Sequence, residues 1–285
     1  MDKEQEFTIS QSLMKGLEEY RLGNECGLVF VEKYIRKNYS LFEPSEVMRL
    51  GNYFEFCCIG ATTKNKEDPK PEYLKDGKTL TAPYKRLESQ VENFKRFISF
   101  YNIEILNVQE RWVAEGLDGT IDFIGRAKSD IHDADGVVVI SANEEFIVDI
   151  KSSGLLSGNR FNDYSWDLDT LSEKRKLILQ PIHYKYLSKL KFQKEYKFLF
   201  ILFNTANEYE FKSILFNVSE VDFIQHKKDI ANTVKWLKYY LKKGFEPRPT
   251  VVRCYDCPLK VGCQYFAAVP PITVFNLQQL FNLNE

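Results

Sequence analysis

Two acidic side chains and one lysine follow short apolar runs in the middle of the chain. Asp149 and Lys151 lie near the end of the β-branched and aromatic run 146–151, whose composition predicts a buried strand. Because successive side chains of a strand point to opposite faces, Asp149 and Lys151 should share one face. Asp122 lies in a second predicted strand, 119–126, which is entered through a turn. Carboxylates placed in this way could hold a divalent cation on a strand scaffold.

This set of side chains suits the hydrolysis of a phosphodiester bond. A bound cation polarises the phosphate and lowers the pKa of a bound water, and the nearby ammonium steadies the nucleophile or the growing charge. An isolated Asp-x-Lys is more often a solvated strand end, but here further signals accompany it. Glu55 offers another carboxylate, and Gln180 and Tyr184 share one face of a predicted helix, 171–190. For that pair alone, a core tyrosine and a surface glutamine are the alternative.

A second cluster of reactive side chains lies near the end of the sequence, where Cys254, Cys257 and Cys263 fall within ten residues. A disulfide framework does not fit a cytosolic protein, so clustered thiolates indicate a metal. Both zinc and an iron–sulfur cluster suit such ligands, and their spacing alone does not separate the two.

Three cysteines are one ligand short of the usual four. Cys26 lies in an exposed, turn-like context between the first two predicted helices. Cys57 and Cys58 lie inside an apolar helix, where a small buried hydrophobe is the simpler interpretation. We therefore expect Cys26 to be the fourth ligand, which would join the two ends of the chain.

The composition is that of a soluble globular protein. Aromatic residues make up 14% and charged residues 28% of the sequence, so extensive disorder is not expected. No apolar run has membrane-spanning length, and the charged N-terminus has no signal-peptide core, so we expect a cytoplasmic location. The net charge of −1 neither supports nor excludes a nucleic-acid partner. Phosphates would have to be gathered by local lysine clusters on the helices 171–190 and 219–243.

The apolar pattern predicts helices around a strand-rich middle, which indicates a mixed α/β or α+β core. Polar segments at 62–78 and 152–169 are predicted loops. Helices are expected at 8–22 with Ser10 as the N-cap, 27–37, 45–59, 84–100, 171–190 and 219–243. Strands are expected at 103–114, 119–126, 136–141, 145–151, 196–203 and 210–218, with 141–144 as a hairpin turn between the third and the fourth.

In this order the motifs resemble those of RecB-type nucleases of the PD-(D/E)xK superfamily. The likeness is to the branch with an iron–sulfur staple, which includes the AddB nuclease domain, CRISPR adaptation nucleases and small phage exonucleases. It covers nearly the whole chain and rests on Cys26, Gly51-x3-Glu55, Gly119-x2-Asp122, Asp149-Ile150-Lys151, Gln180-x3-Tyr184 and Cys254-x2-Cys257-x5-Cys263.

The resemblance implies a restriction-endonuclease-like fold, with a mixed central sheet flanked by helices. It implies one nuclease domain over 1–285, with a catalytic core at 101–218. Residues 1–60 and 245–270 would contribute a cysteine subregion, in which Cys26, Cys254, Cys257 and Cys263 hold a structural [4Fe–4S] cluster, with Zn²⁺ as the alternative.

The resemblance also implies ligands for a catalytic Mg²⁺ or Mn²⁺. Asp122 and Asp149 would bind the ion, with the Ile150 carbonyl as a further ligand. Many relatives have a histidine where this chain has Glu55, and a carboxylate there suits a hard cation.

Three further side chains receive roles from the same resemblance. Lys151 would position or activate the attacking water, while Gln180 and Tyr184 would orient the DNA strand or the lysine. The expected activity is that of a metal-dependent DNA nuclease, an exonuclease on single strands or ends, in recombination, repair or phage DNA processing. A catalytically weak DNA-binding or adaptation module within a larger complex is the alternative. The sequence has no G-x4-G-K-[ST] phosphate loop, so a helicase or recombination partner would supply any motor.

Overall fold

The computed structural model describes residues 7–61, 68–153, 156, 175–207 and 210–266. The chain forms two compact units, the larger from residues 1–15 and 44–236 and the smaller from 16–43 and 237–285. The predicted catalytic core falls in the larger unit and the four predicted cysteine ligands fall in the smaller one. Residues 62–67 of the predicted loop 62–78, most of the predicted loop 152–169, residues 171–174 and the end of the cysteine subregion at 267–270 lie outside the described residues.

A five-stranded mixed sheet forms the centre of the larger unit. In spatial order its strands are β1 Ile103–Val108, β4 Phe123–Ala127, β7 Glu145–Ser153, β8 Lys197–Asn204 and β9 Phe211–Phe216. Strands β7 and β8 are parallel and the other neighbours are antiparallel. A parallel pair requires a crossover connection, and a helix lies in the sequence between these two strands. Two small hairpin sheets pair β2 Arg111–Ala114 with β3 Leu117–Thr120, and β5 Ile131–His132 with β6 Val138–Ile140.

The helices follow the predicted pattern closely. They are α1 Gln11–Leu22, α2 Gly27–Phe30 with a π-helical continuation Val31–Ile35, α3 Glu46–Ile59, α4 Ala82–Phe100, α5 Arg175–Phe192, α6 Glu220–Lys243 and α7 Val251–Tyr255, with a short 3-10 turn at Tyr39–Leu41. The Ser10 hydroxyl accepts a hydrogen bond from the Leu13 N–H, which confirms the predicted N-cap of α1. Within the described residues, no helix combines the length and the apolarity that a membrane crossing requires.

Side-chain alternation along β7 decides which of its residues enter the apolar core and which face α5. Phe146, Val148 and Ile150 enter the apolar core that α3 and α4 supply. The opposite face of the strand carries Asp149 and Lys151, and this face meets α5. The same alternation therefore builds the core and presents the two polar side chains.

The predicted strands of the middle region are interrupted more often than the sequence pattern indicates. The predictions of single strands at 103–114 and 119–126 were wrong, because each segment changes partner part-way along. β2 and β3 pair with each other, whereas β1 and β4 join the main sheet. The turn at 141–144 exists, with Glu144 N–H bound to the Ser141 carbonyl at 3.0 Å. It is not a hairpin turn, since β6 pairs with β5 and β7 belongs to the main sheet.

The smaller unit has an aromatic core. Phe30 stacks on Phe245 with ring centroids 4.7 Å apart, and Tyr20 lies edge-on to Tyr240 at 5.0 Å. Gly27 makes this approach possible, since a Cβ there would lie 2.7 Å from the Phe245 carbonyl carbon. Burial of several aromatic rings is a substantial apolar contribution for so short a pair of segments.

Two buried histidines join α5 to α6 in the larger unit. His183 Nε2 lies 3.0 Å from the Asp118 carbonyl oxygen, which can only accept, so Nε2 carries the proton. His183 Nδ1 must then accept the hydrogen bond from His226 Nε2, 3.2 Å away. Burial, and next the neighbouring His183, lower the pKa of His226 to about 3. Both rings are therefore neutral in the folded protein at physiological pH.

We expect this pair to make the protein acid-sensitive. An unfolded histidine has a pKa of about 6.5, so between pH 6.5 and 3 the unfolded chain binds the proton that folded His226 excludes. The stability contributed by neutral His226 is complete above pH 6.5 and is lost as the pH falls, by about 2 kcal/mol at pH 5. Urea unfolding at pH 7 and pH 5 should show a smaller difference for His226→Gln than for wild type. The exposed His132 provides the control: His132→Gln should keep the wild-type difference. Equal differences in all three proteins would contradict the assignment.

Candidate active site

Asp122 and Asp149 lie side by side at one end of the central sheet. The β4–β7 ladder pairs Phe123 with Val148, so one further step of the antiparallel register places Asp122 opposite Asp149. The Asp122 Oδ2 atom accepts a hydrogen bond of 2.7 Å from the Ile150 N–H. Asp122 itself lies in the break between β3 and β4, where the chain passes from the small hairpin to the main sheet.

Asp149 is held from two sides. It is buried, with 1% of its surface exposed, and its Oδ1 forms an ion pair with Lys151 Nζ. Gln180 on α5 donates its side-chain N–H to Asp149 Oδ2. Gln180 is therefore buried against the β7 strand, and the alternative of a surface glutamine is wrong.

The charges of this cluster are not balanced. Burial and the neighbouring charge of Asp149 raise the pKa of Asp122 well above its usual range, although Lys151 opposes the rise. Burial disfavours the charge of Lys151, but Asp149 and Asp122 outweigh burial, so the pKa of this lysine also ends above its ordinary value. One ammonium thus faces several carboxylates, an arrangement that a divalent cation would stabilise.

Position 119 requires glycine because the ring of Tyr184 packs directly against it. A Cβ at Gly119 would lie 2.9 Å from Tyr184 Cδ1 and closer still to Cε1, so only glycine lets the ring pack on β3. The Tyr184 hydroxyl donates a hydrogen bond of 2.7 Å to the Thr120 carbonyl. Burial, and then the charges of Asp149 and Asp122, raise the pKa of Tyr184, which keeps the phenol protonated. Tyr184 therefore fixes the segment that leads into Asp122.

Glu55 reaches the same region from α3. It lies one turn after Gly51, whose Cβ position would face Ser152 Oγ at 3.6 Å, so this side of the helix faces the end of β7. Glu55 adds to the negative charge that acts on Asp122 and on Lys151. Gln109, which the sequence analysis did not single out, donates its side-chain N–H to Glu55 Oε1.

The donor chemistry fits a hard divalent cation, since carboxylate oxygens are the ligands that Mg²⁺ and Mn²⁺ prefer. Across the described ranges, however, no group of three or more His, Cys, Asp or Glu side chains is arranged to hold a metal ion. In the acidic cluster, the Lys151 ammonium is bound to Asp149 Oδ1, an oxygen that a cation would use. A cation at Asp149 would therefore have to displace or share this ammonium.

The four predicted cysteine ligands line one pocket of the smaller unit: Cys26, Cys254, Cys257 and Cys263. Burial, and to a smaller extent the other three thiols, raise the pKa of Cys257. The Arg248 backbone N–H lies 3.5 Å from Cys26 Sγ, a contact that would also stabilise a thiolate there. The pocket therefore has the right kind and number of side chains for a four-thiolate metal site, although they are not arranged as ligands.

Cys57 and Cys58 do not line this pocket. Both are on α3 in the larger unit, where they pack against the apolar core. Burial raises the pKa of both thiols. Both are half-buried small hydrophobes, whereas the sequence pattern predicts fully buried ones.

Comparison of the structure with solved structures finds a similar fold, whereas comparison of the sequence with family models and curated proteins finds no match. No protein-family model matches the chain, and no curated protein is significantly similar to it. The fold resembles that of a presumed exonuclease from Eubacterium rectale, with a TM-score of 0.55 and 14% sequence identity over 94% of this chain and 91% of that one. An alkaline exonuclease from Laribacter hongkongensis aligns with a TM-score of 0.36 and 10% identity over 83% of this chain and 92% of that chain. The first of these likenesses shows a shared fold.

Proposed function

We propose that this protein is a Mg²⁺- or Mn²⁺-dependent deoxyribonuclease that hydrolyses phosphodiester bonds at DNA ends or in single strands. The observation that carries the proposal is the convergence of Asp122, Asp149 and Lys151 at one end of the central sheet. The fold shared with a presumed exonuclease, which is 14% identical in sequence, supports the same class of reaction.

The ion would be held by Asp122, Asp149 and Glu55, with the Ile150 carbonyl as a further ligand. The N–H and C=O of one strand residue point to the same side, and the Ile150 N–H already points to Asp122. When bound, the ion would polarise the scissile phosphate and acidify a water.

The remaining polar residues of the site would position the reactants. The Lys151 ammonium carries a firm positive charge, so it can steady the water or the phosphate oxygens as charge develops. Gln180 fixes the orientation of the Asp149 carboxylate, and Tyr184 fixes the strand that carries Asp122. These two side chains contact the protein rather than a reactant, so we assign them to positioning.

For the smaller unit we propose a structural metal site of four cysteines, with a [4Fe–4S] cluster preferred and Zn²⁺ as the alternative. The support is the shared pocket of Cys26, Cys254, Cys257 and Cys263, whose thiols belong to segments far apart in the sequence. Such a site would join the loop before α2 to the segment around α7.

DNA would be gathered by lysines of α6 rather than of α5. Three lysines of α5 have acidic partners within 4 Å: Lys185 with Glu195, Lys189 with Glu220 and Lys191 with Glu110. By contrast, Lys235, Lys238 and Lys242 on α6 are exposed. A helicase or recombination partner would serve only as the source of a motor. We propose no membrane partner.

The decisive experiment is cleavage of labelled DNA. We expect Mn²⁺ or Mg²⁺ to support degradation of linear DNA labelled at its 5′ or 3′ end, with EDTA abolishing it. An exonuclease releases nucleotides from linear DNA and leaves covalently closed circles intact, whereas cleavage of circles would identify an endonuclease. DNA binding without cleavage of any substrate in either metal would contradict the proposal and favour the binding module.

A further inference from the structure

One face of α5 contacts both strand segments that lead to the aspartates of the site. Gln180 donates its side-chain N–H to Asp149 on β7. His183 and Tyr184 follow three and four residues later, so they lie on the same face of the helix. Both of these side chains hydrogen-bond to backbone carbonyls of β3. A single rigid helix therefore joins β7 to β3.

β3 presents carbonyl groups to α5 along the edge that does not pair with β2. The Asp118 N–H donates a hydrogen bond of 3.1 Å to the Ile9 carbonyl, so the backbone groups of Asp118 point away from β2. Backbone groups two residues apart along a strand point to the same edge, and the carbonyl of Thr120 therefore shares this direction. His183 Nε2 lies 3.0 Å from the first carbonyl and the Tyr184 hydroxyl 2.7 Å from the second. Two adjacent residues of α5 thus supply hydrogen bonds that a neighbouring strand would otherwise supply.

His183 is fully buried, with 0% of its surface exposed, and both of its ring nitrogens have partners. A buried polar side chain costs free energy unless it is hydrogen-bonded, so packing alone would be served better by an apolar residue. His226 donates to Nδ1 and leaves the proton of the His183 ring on Nε2, where it is directed at β3. The directed hydrogen bond is what an apolar side chain could not provide.

We propose that His183 is a positioning residue that holds β3 against α5 and thereby places Asp122 beside Asp149. The carbonyl that it contacts lies four residues before Asp122. Between these two points the chain leaves the small hairpin and enters the main sheet, so a hydrogen bond before the break limits the movement of Asp122. The consequence for catalysis rests on the proposed function, whereas the placement of Asp122 can be measured without it.

The backbone amide of Ile150 reports the position of Asp122 directly, because its N–H donates to Asp122 Oδ2 at 2.7 Å. The amide of Val148 is an internal reference, since it lies two residues earlier on the same edge of β7, in the ladder opposite Phe123. Hydrogen exchange at these two amides is measured by NMR in protein without metal or DNA. The ratio of the two rates separates a local loosening at Asp122 from a general loss of stability.

The variant is His183→Met, which fills a similar volume without a donor. We expect Ile150 to exchange about 10-fold faster relative to Val148, as for the loss of one hydrogen bond of upper average strength. His183→Gln keeps an amide N–H near the position of Nε2 and should restore the wild-type ratio. The matched control is Ser188→Ala, which removes a buried hydrogen bond within α5, from the Ser188 hydroxyl to the Lys185 carbonyl, and should also keep the ratio. Equal acceleration of both amides in His183→Met, or an increased ratio in either of the other two variants, would overturn the inference.

A measurement on the wild-type protein remains if His183→Met does not fold. Long-range ¹H–¹⁵N spectra should show the ring of His183 protonated at Nε2 and unprotonated at Nδ1. The opposite tautomer would overturn the inference, because Nε2 could then not donate to the Asp118 carbonyl.

Cleavage of labelled DNA separates this inference from the proposed function. His183→Met should lower kcat about 10-fold at an unchanged KM, because a misplaced aspartate weakens interactions with the transition state more than binding of the substrate. An unchanged kcat, with active wild type, would overturn the role of His183 in positioning. Wild-type protein that does not cleave DNA, together with the expected exchange ratios, would defeat the proposed function and leave the placement of Asp122 by His183 standing.

Discussion

Asp149→Asn should reduce metal-dependent DNA cleavage by at least about 100-fold while the protein stays folded. Asparagine has the shape of aspartate, so the contact from Gln180 can be kept by the side-chain oxygen. The negative charge that would attract the cation is lost. Neutralising Asp149 removes a repulsion that raises the pKa of Asp122, but it also removes the ion pair with Lys151, so the unfolding temperature reports the balance of the two effects.

The control for this variant is Asp135→Asn, an exposed aspartate in the turn between β5 and β6. It should cleave DNA at the wild-type rate. Circular dichroism and thermal unfolding of both variants test whether the fold is retained. Cleavage by Asp149→Asn at more than a tenth of the wild-type rate would remove the basis of the proposed nuclease site.

Lys151 should affect a different step from Asp149. Lys151→Met removes the ammonium that is paired with Asp149 Oδ1, so the carboxylate becomes more available to a cation. We therefore expect this variant to bind Mn²⁺ at least as well as wild type when the shift in unfolding midpoint is titrated with MnCl₂, and yet to turn over about 100-fold more slowly. The two variants together distinguish metal binding from charge stabilisation during the reaction.

The catalytic strand could be predicted because its pattern is local. The apolar run before Asp149 indicates a strand, and alternation then places Lys151 on the same face. The spacing of Gln180 and Tyr184 places both on one side of a helix in the same way. These inferences need only the period of a single element, and the structure has both elements where the sequence predicts them.

The remainder of the site depends on contacts between distant elements. The break before Asp122 arises because one stretch of chain passes from a hairpin to the main sheet, which strand propensity does not encode. Gln109 stands out only through its left-handed backbone and its contact with Glu55, neither of which leaves a sequence signal. The reason for glycine at position 119 likewise lies in the ring of Tyr184, 65 residues away.

The prediction of the cysteine pocket rests partly on local sequence spacing and partly on the context of a distant residue. Three cysteines within ten residues indicate a metal without any knowledge of the fold. The choice of the fourth depended on context, since Cys26 lies in a turn and Cys57 lies in an apolar helix. The structure brings Cys26 to the pocket of the other three and leaves Cys57 against the core of the larger unit.

Substitution of Cys26, compared with that of Cys57, gives the second large expected effect. Cys26→Ser should lose the metal proposed for the four-cysteine pocket and destabilise the smaller unit. Structural metals contribute on the order of 10 kcal/mol in small domains, so removal of one of four ligands should cost much of this stability. Iron and zinc content, together with the visible absorbance that thiolate-bound iron gives, measure the loss. Hydrogen exchange should show faster opening in residues 16–43 and 237–266.

Cys57→Ser is the matched control, because it makes the same change in a thiol outside the pocket. It should keep the full metal content and lose only about 1 kcal/mol of stability, as expected for a polar atom added near an apolar core. A colourless wild type with stoichiometric zinc would replace the iron assignment and leave the four-thiolate site standing. Loss of metal from Cys57→Ser, with retention in Cys26→Ser, would instead show that the loop before α2 does not supply the fourth ligand.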